Sequence, residues 1–219
     1  MEALERYSTS NDLPTIIIVL ILLLLVLGRQ LFQNRFEDFF SIFTSGKFLI
    51  IKNREHKALF GFNVIMFFAH ILIITLFLFV LYRIFVSPVL HEPWIILLRI
   101  FTAYGFFALL KITLEKIIAN VFDIDDTAEH YLFQKHTYRN FISFLFFPVV
   151  IFLIYSQPAS RAAIITVIIF FLIATLYSFF RITKKNAGWI TRNWFYFILY
   201  LCALEITPYV ILYKLITIS

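Results

Sequence analysis

Cysteine and glycine are scarce in this chain, which has one cysteine and five glycines among its 219 residues. The single cysteine, Cys202, excludes an internal disulfide and any metal site built from several cysteines. Five glycines leave few places where the backbone could cradle a ligand. The sequence also contains no Gly-rich phosphate loop, no Gly-x-Ser-x-Gly motif and no His-Glu-x-x-His motif. An enzyme is therefore disfavoured rather than excluded.

Charge is scarce as well, because only 15% of the residues are Asp, Glu, Lys or Arg, whereas 62% are hydrophobic and 29 are phenylalanine. With a mean hydropathy of +0.90, a soluble domain of this size would expose much of its apolar surface to water. Lipid is therefore the expected solvent. The composition predicts an integral-membrane protein that forms a single domain over residues 1–219.

Six apolar runs divide the chain, each near the roughly 20 residues that a helix needs to cross about 30 Å of hydrocarbon. The predicted spans cover residues 13–27, 58–82, 93–118, 140–156, 162–180 and 194–216. The sequence thus predicts an all-α polytopic bundle with six transmembrane helices. The loops between the runs have modest lengths, so any chemistry would take place within the helices or at the membrane surface.

Lysine and arginine concentrate in every second gap between the apolar runs. The gaps after the first, third and fifth runs, together with Lys111 and Lys116 near the end of the third run, hold 14 of the 19 basic residues. The positive-inside rule places these gaps in the cytoplasm, which predicts an N-out, C-out topology in the bacterial inner membrane. Because acidic residues precede the first run and Arg29 follows it, we expect a retained helix rather than a cleaved signal peptide. The net charge of +6 is dispersed over the loops, which favours anionic lipid headgroups over nucleic acid as partners.

Residues 30–44 carry phenylalanines at helical spacing, with polar residues on the opposite side. The phenylalanines are Phe32, Phe36, Phe39, Phe40 and Phe43. This pattern predicts an amphipathic helix. Such a helix either lies in the cytoplasmic interface with its phenylalanines among the acyl chains, or docks on a partner subunit.

The acidic stretch of the chain follows the third run. A short amphipathic helix is predicted over residues 127–139, where Asp126 and Glu129 have the spacing of a capping pair. The same stretch contains weak candidates for a divalent metal, namely Asp123, Asp125, Asp126, Glu129, His130 and His136. Their spacing fits no recognised metal cage, so helix capping and solvation are the favoured roles. No metal or other cofactor is predicted.

Ionisable side chains inside or at the ends of the predicted spans are the main functional candidates, because each is costly in lipid unless it is paired or faces water. They are His70, Arg99, Lys111, Glu115 and Glu205. Lys111 and Glu115 are four residues apart on one helix and can pair with each other. His70 and Glu205 each lie near the middle of a span and could meet.

Two prolines are candidate helix breaks. Pro208 follows Glu205 by three residues, and Pro148 interrupts the short fourth span. A carboxylate beside a broken turn can bind a cation or a proton. The alternative is that Glu205 is protonated or paired with Arg99 or His70, and locks the bundle.

The sequence resembles a family of small polytopic inner-membrane proteins from Bacteroidota that is known as a domain of unknown function. The resemblance is carried by the order of the spans, by the Pro93–Trp94 entry into a long helix with Arg99 and Lys111, and by the Tyr138–Arg139–Asn140 entry into the fourth span. It implies a membrane localisation and adds no activity, because it brings no functional residues.

Two hypotheses of function follow. The first is a non-enzymatic subunit or assembly factor of a larger envelope complex, with a protein partner in the membrane. The second is a small carrier or flippase for an anionic or lipid-linked substrate, in which Arg99 meets the negative group and Glu205 or His70 moves a proton. An enzyme that uses the stretch from Asp123 to His136 at the membrane surface comes third.

Overall fold

The computed structural model describes residues 11–40, 56–85, 92–121, 125–156 and 161–185. The described residues form helices and no strand, as the sequence predicts. The helices are α1 (Asp12–Leu31), α2 (Gln33–Phe40), α3 (His56–Phe85), α4 (Pro93–Val121), α5 (Asp125–Tyr155) and α6 (Arg161–Lys185). The predicted sixth span, with Cys202, Glu205 and Pro208, lies outside the described residues.

Within the described part, five helices are long and apolar enough to cross a membrane. Their apolar stretches are Asp12–Leu31, Gly61–Phe85, Pro93–Ile117, Tyr131–Tyr155 and Ala162–Lys184. Each has 20 to 25 residues, which corresponds to about 30–38 Å of helix. The chain is therefore a multi-pass helical membrane protein. Four of these stretches lie close to the predicted spans, and the stretch in α5 begins nine residues before residue 140.

The five membrane helices differ in how deeply their side chains are buried. In α3 and α5, 67% and 61% of the most apolar stretch is buried inside the chain, against 11% in each of α4 and α6. Helices α3 and α5 therefore supply most of the packed interior, which contains Ile73, Leu76 and Val150 among its fully buried side chains. Helices α4 and α6 present apolar side chains outward.

The chain divides into two compact units. The first consists of Met1–Ala103 and Asn140–Phe171, and the second of Tyr104–Arg139 and Leu172–Ser219. Helices α1, α2 and α3 belong to the first unit, whereas α4, α5 and α6 each contribute residues to both.

In the first unit, α1 packs against α3. Polar groups tie the start of α1 to the ends of two other helices. Arg83 Nη1 at the end of α3 donates a hydrogen bond to Asn11 Oδ1 at 3.1 Å. The hydroxyls of Thr15 and Tyr155 at the end of α5 are 2.7 Å apart. Because these polar groups satisfy one another, the helix ends require no ligand to be stable.

Helix α1 ends at Leu31, and Phe32 separates it from α2. Phe32 has φ −135° and ψ 49°, outside the helical range, while its N–H still donates to the carbonyl of Gly28 at 3.1 Å. Its ring lies against Gly61 of α3, where an added Cβ would stand 2.8 Å from Phe32 Cζ. Only a residue without a side chain leaves room for this ring.

This close approach predicts a difference between two glycines. We expect Gly61→Ala to lower the free energy of unfolding by about 1 kcal/mol, because the ring of Phe32 must move. Gly28→Ala is the matched control, since its added Cβ would meet Ile65 Cγ2 at an ordinary 3.6 Å. The measurement is reversible unfolding of the full chain in detergent micelles. Equal effects of the two substitutions would contradict the prediction.

Helix α2 occupies the middle of the predicted amphipathic segment, and residues 41–44 of that segment lie outside the described residues. Gln33, Asn34 and Glu37 are exposed. Phe39 has 1% of its surface exposed and packs edge-on against Phe62 of α3 and Phe141 of α5, with ring centroids 5.8 and 5.4 Å away. Phe39 therefore packs inside its own chain and contacts neither acyl chains nor another subunit. The interfacial position of the helix stays a prediction.

Helix α5 corrects the prediction for residues 127–156. The predicted short helix over 127–139 and the span over 140–156 form one continuous helix, and Pro148 lies inside it without ending it. Pro148 is on an exposed side of α5. Proline is tolerated in membrane helices because other groups can satisfy the freed carbonyl. The fourth span is thus neither short nor broken at this proline.

Candidate functional site

A buried carboxylate on α4 contacts basic side chains of α5 in the second unit. Glu115 has 1% of its side chain exposed, and Lys135 Nζ of α5 donates to Glu115 Oε1 at 2.7 Å. His136 Nε2 of α5 lies 3.5 Å from the other oxygen, Oε2. The charge-assisted contact with Lys135 offsets part of the cost of removing the carboxylate from water.

The predicted partner of Glu115 was Lys111 on the same helix. An ion pair joins Glu115 to Lys135, 20 residues further along the chain, and the pairing with Lys111 stays a prediction. Lys111 is buried one turn before Glu115 on α4, with 8% of its surface exposed. The Glu115 carboxylate therefore links α4 to α5 within this unit.

Several further cations lie close to this pair. Lys111, Lys116, Lys135 and Arg139 are all near enough to His136 to act on its imidazole electrostatically. We call Lys111, Lys116, Lys135, His136 and Arg139 the basic cluster. Arg181 of α6 acts in the same way on the neighbouring Tyr138. Among the described side chains of this unit, Glu115 is thus the one carboxylate among Lys and Arg side chains from three helices.

The same cluster includes one of the weak metal candidates. His136 lies beside Glu115, whereas Asp123 and the side chains of Asp125, Asp126, Glu129 and His130 are outside the described part of the chain. The described residues contain no group of three or more His, Cys, Asp or Glu side chains that could hold a metal ion.

His70 has a polar partner in the core of the first unit. Its Nδ1 lies 2.6 Å from Ser143 Oγ of α5, and both side chains are buried. The predicted partner, Glu205, is outside the described residues, so that pairing stays a prediction. The contact with Ser143 corresponds to a histidine that joins helices by hydrogen bonding.

The His70–Ser143 contact gives a measurable coupling. We expect His70→Leu and Ser143→Ala each to destabilise the chain, with a coupling of about 0.6–1.7 kcal/mol in a double-mutant cycle, the range of interhelical hydrogen bonds in membranes. Unfolding in detergent micelles measures it. Thr102→Ala serves as the control, because that hydroxyl bonds only carbonyls of its own helix among the described contacts. Additive effects of the two core substitutions would contradict the prediction.

Arg99 lies in the first unit on an exposed side of α4. It is six residues after Pro93, which places its Cα about 9 Å along the helix from the start of α4. Trp94 near the start of the same helix is also exposed. No described contact joins Arg99 to His70, so the structure does not bring these two candidates into one site.

Two residues of these contacts are absent from the predicted candidates, namely Lys135 and Ser143. Glu115 lies six residues before the end of α4, and Lys135 lies ten residues after the start of α5. Treating the two predicted helices as an antiparallel pair would have indicated that pairing. Ser143 carries no comparable signal, because a serine in an apolar run gives no sign of its partner.

Comparison with curated proteins and with solved structures finds no match in either set. The family described as Domain of unknown function (DUF4271) matches residues 14–216, which is nearly the whole chain. The match covers all five described membrane helices except the first residues of α1. It agrees with the resemblance to an uncharacterised family, and the occurrence in Bacteroidota stays an expectation. The chain belongs to the DUF4271 family.

Proposed function

We propose that this protein is a non-enzymatic subunit or assembly factor of an envelope complex in the bacterial inner membrane, with its termini outside. The observation that carries the proposal is the exposed Arg99 on α4, within an apolar stretch that is only 11% buried by its own chain. A guanidinium in this position is costly in lipid unless an anionic group meets it. A carboxylate on a neighbouring membrane protein would supply that group.

The polar groups of the membrane core are compatible with this role. His70 contacts Ser143, and Thr15 contacts Tyr155, so these groups are engaged in joining helices. They would be needed for transport only if they lined a water-filled path. Exposed apolar side chains on α4 offer the surface that a partner helix would cover, among them Leu98, Phe106, Leu109 and Leu110.

Mass spectrometry of the tagged chain tests the proposal, after purification in mild detergent from its native membrane at native expression. We expect a stoichiometric protein partner with the wild-type chain. Arg99→Gln should lower the ratio of partner to chain at least about tenfold, because the partner's carboxylate then loses its cation. Arg29→Gln is the matched control, since it removes an exposed cation from the end of α1. A lone wild-type chain would refute the proposal.

A small carrier or flippase for an anionic or lipid-linked substrate is the second candidate. The observation that favours it is the group of lysine and arginine side chains that act electrostatically on His136, next to Glu115, and that would attract such a substrate. This function requires water to reach Glu205, and either Glu205 or His70 would move a proton. A single cysteine beside Glu205, in a Cys202→Ser background, should then react with a soluble thiol reagent. A cysteine that stays unreactive in every condition would refute transport.

A further inference from the structure

A cavity lies at the junction of α1 and α2 in the first unit. Its volume is about 310 Å³. Sites for small ligands range from roughly 300 to 1,000 Å³. Arg29, in the last turn of α1, lines the cavity together with Gln33, Phe36 and Glu37 of α2. The cavity therefore combines a cation, an amide, an aromatic ring and a carboxylate.

The two charged groups of this cavity are separate from each other. Arg29 and Glu37 are both exposed. Among the contacts of the described residues, no ion pair joins them, although both line the same cavity. A simple anion would be attracted by Arg29 and repelled by Glu37. A ligand that carries both a negative and a positive group would satisfy both side chains.

The position of the cavity indicates a membrane lipid as the source of such a ligand. The apolar stretch of α1 has 20 residues, about 30 Å of helix, so its two ends reach the two headgroup regions of a bilayer. Arg29 lies in the last turn of this helix. Leu22 and Val26 are exposed and lie seven and three residues before Arg29, on the same face of α1. Acyl chains can lie along this face while the headgroup enters the cavity.

We propose that this cavity binds a phospholipid headgroup with a phosphate and a primary ammonium, as in phosphatidylethanolamine. The guanidinium of Arg29 bonds two phosphate oxygens, and Glu37 accepts hydrogen bonds from the ammonium. The amide of Gln33 donates to a further phosphate oxygen. Phosphatidylcholine has no N–H to donate to Glu37, and phosphatidylglycerol has no cation. The site is separate from the Arg99 surface, goes beyond the proposed function and does not depend on it.

The test uses the full chain in neutral detergent and counts bound lipids by native mass spectrometry. Phosphatidylethanolamine, phosphatidylcholine and phosphatidylglycerol with identical acyl chains are titrated separately. We expect phosphatidylethanolamine to bind at least about fivefold more tightly than either of the others, because it alone pairs with both charges. Soluble phosphoethanolamine should compete at least about tenfold more weakly than the lipid, because it has no acyl chains to contact α1.

The variants separate the two halves of the headgroup. Glu37→Gln should remove the preference for phosphatidylethanolamine over phosphatidylglycerol, because the ammonium then loses its carboxylate. Arg29→Gln should weaken the binding of all three lipids at least about fivefold, and Arg29→Lys should recover part of the affinity, because it keeps the charge without the planar geometry. Lys184→Gln is the matched control, since it removes an exposed cation from the end of α6 and should change the affinities less than about twofold.

Three results would overturn the proposal. The first is equal binding of the three lipids by the wild-type chain, or a preference for one of the other two. The second is a preference for phosphatidylethanolamine that Glu37→Gln leaves unchanged, or a loss with Lys184→Gln as large as that with Arg29→Gln. The third is competition by soluble phosphoethanolamine as strong as that by the lipid. None of them bears on the protein partner that the proposed function requires, because that experiment depends on Arg99.

Discussion

Replacing Glu115 with alanine is expected to lower the free energy of unfolding by about 3 kcal/mol, because removal of one member of a buried ion pair leaves the other charge uncompensated. Lys135 would lose the carboxylate that lies 2.7 Å from its Nζ. Lys111, Lys116 and Arg139 would repel it further, since all three are in electrostatic range of the adjacent His136. The measurement is unfolding of the full chain in detergent micelles.

Controls distinguish the charge from the volume of this side chain. Glu115→Gln keeps the volume and removes the charge, so we expect it to retain most of the destabilisation. Glu37→Gln changes an exposed carboxylate of α2 and should alter stability by less than about 0.5 kcal/mol. Combining Glu115→Leu with Lys135→Met should destabilise less than Glu115→Ala alone, because both charges are then gone. An effect of Glu115→Ala as small as that of Glu37→Gln would contradict the prediction.

The Glu115 contacts show where sequence reasoning stops. The sequence identifies Glu115 and Lys111 as polar groups at the end of a membrane helix, because charge in an apolar run is visible in the sequence. The ion pair with Lys135 depends on how the facing parts of α4 and α5 pack against each other within the second unit. Distance along the chain does not reveal such a pair, since the two residues are 20 positions apart.

The apolar runs were the most predictable part of the fold, because length and hydropathy alone decide whether a helix can cross a bilayer. Helices α1, α3, α4 and α6 therefore cover the predicted spans. Helix α5 was misjudged because its first half is polar and its second half contains Pro148. Polar residues are costly in lipid and a proline usually ends a helix in water, yet this helix continues through both, with Gln134, Thr137 and Asn140 all buried.

The phenylalanines of residues 30–44 show that sequence reasoning has the same limit for apolar residues. Periodicity predicts a helix with one apolar face, and α2 supplies the helix. Periodicity does not tell which surface the apolar face contacts, because lipid, a partner and the chain's own core are equally apolar. For Phe39 the answer is the core, where Phe62 and Phe141 surround it.

Because Phe39 lies in the core, its replacement is the second change for which we expect a large loss of stability. We expect Phe39→Ala to lower the free energy of unfolding by about 3 kcal/mol, because it leaves a cavity between α2, α3 and α5 that the rings of Phe62 and Phe141 cannot fill. Phe39→Leu keeps much of the volume and should cost less than about 1.5 kcal/mol. Unfolding in detergent micelles measures both.

The matched control is Phe106→Ala on α4, where 70% of the side chain is exposed and no cavity can form. It should change the stability by less than about 0.5 kcal/mol. If α2 instead lay on the membrane with its phenylalanines in the acyl chains, Phe39→Ala and Phe106→Ala would have similar effects on unfolding. Phe39→Ala would then weaken the association of α2 with lipid and leave the packing of α3 and α5 unchanged. A large difference between the two alanine variants identifies α2 as part of the packed core, where Phe39 packs α2 against α3 and α5.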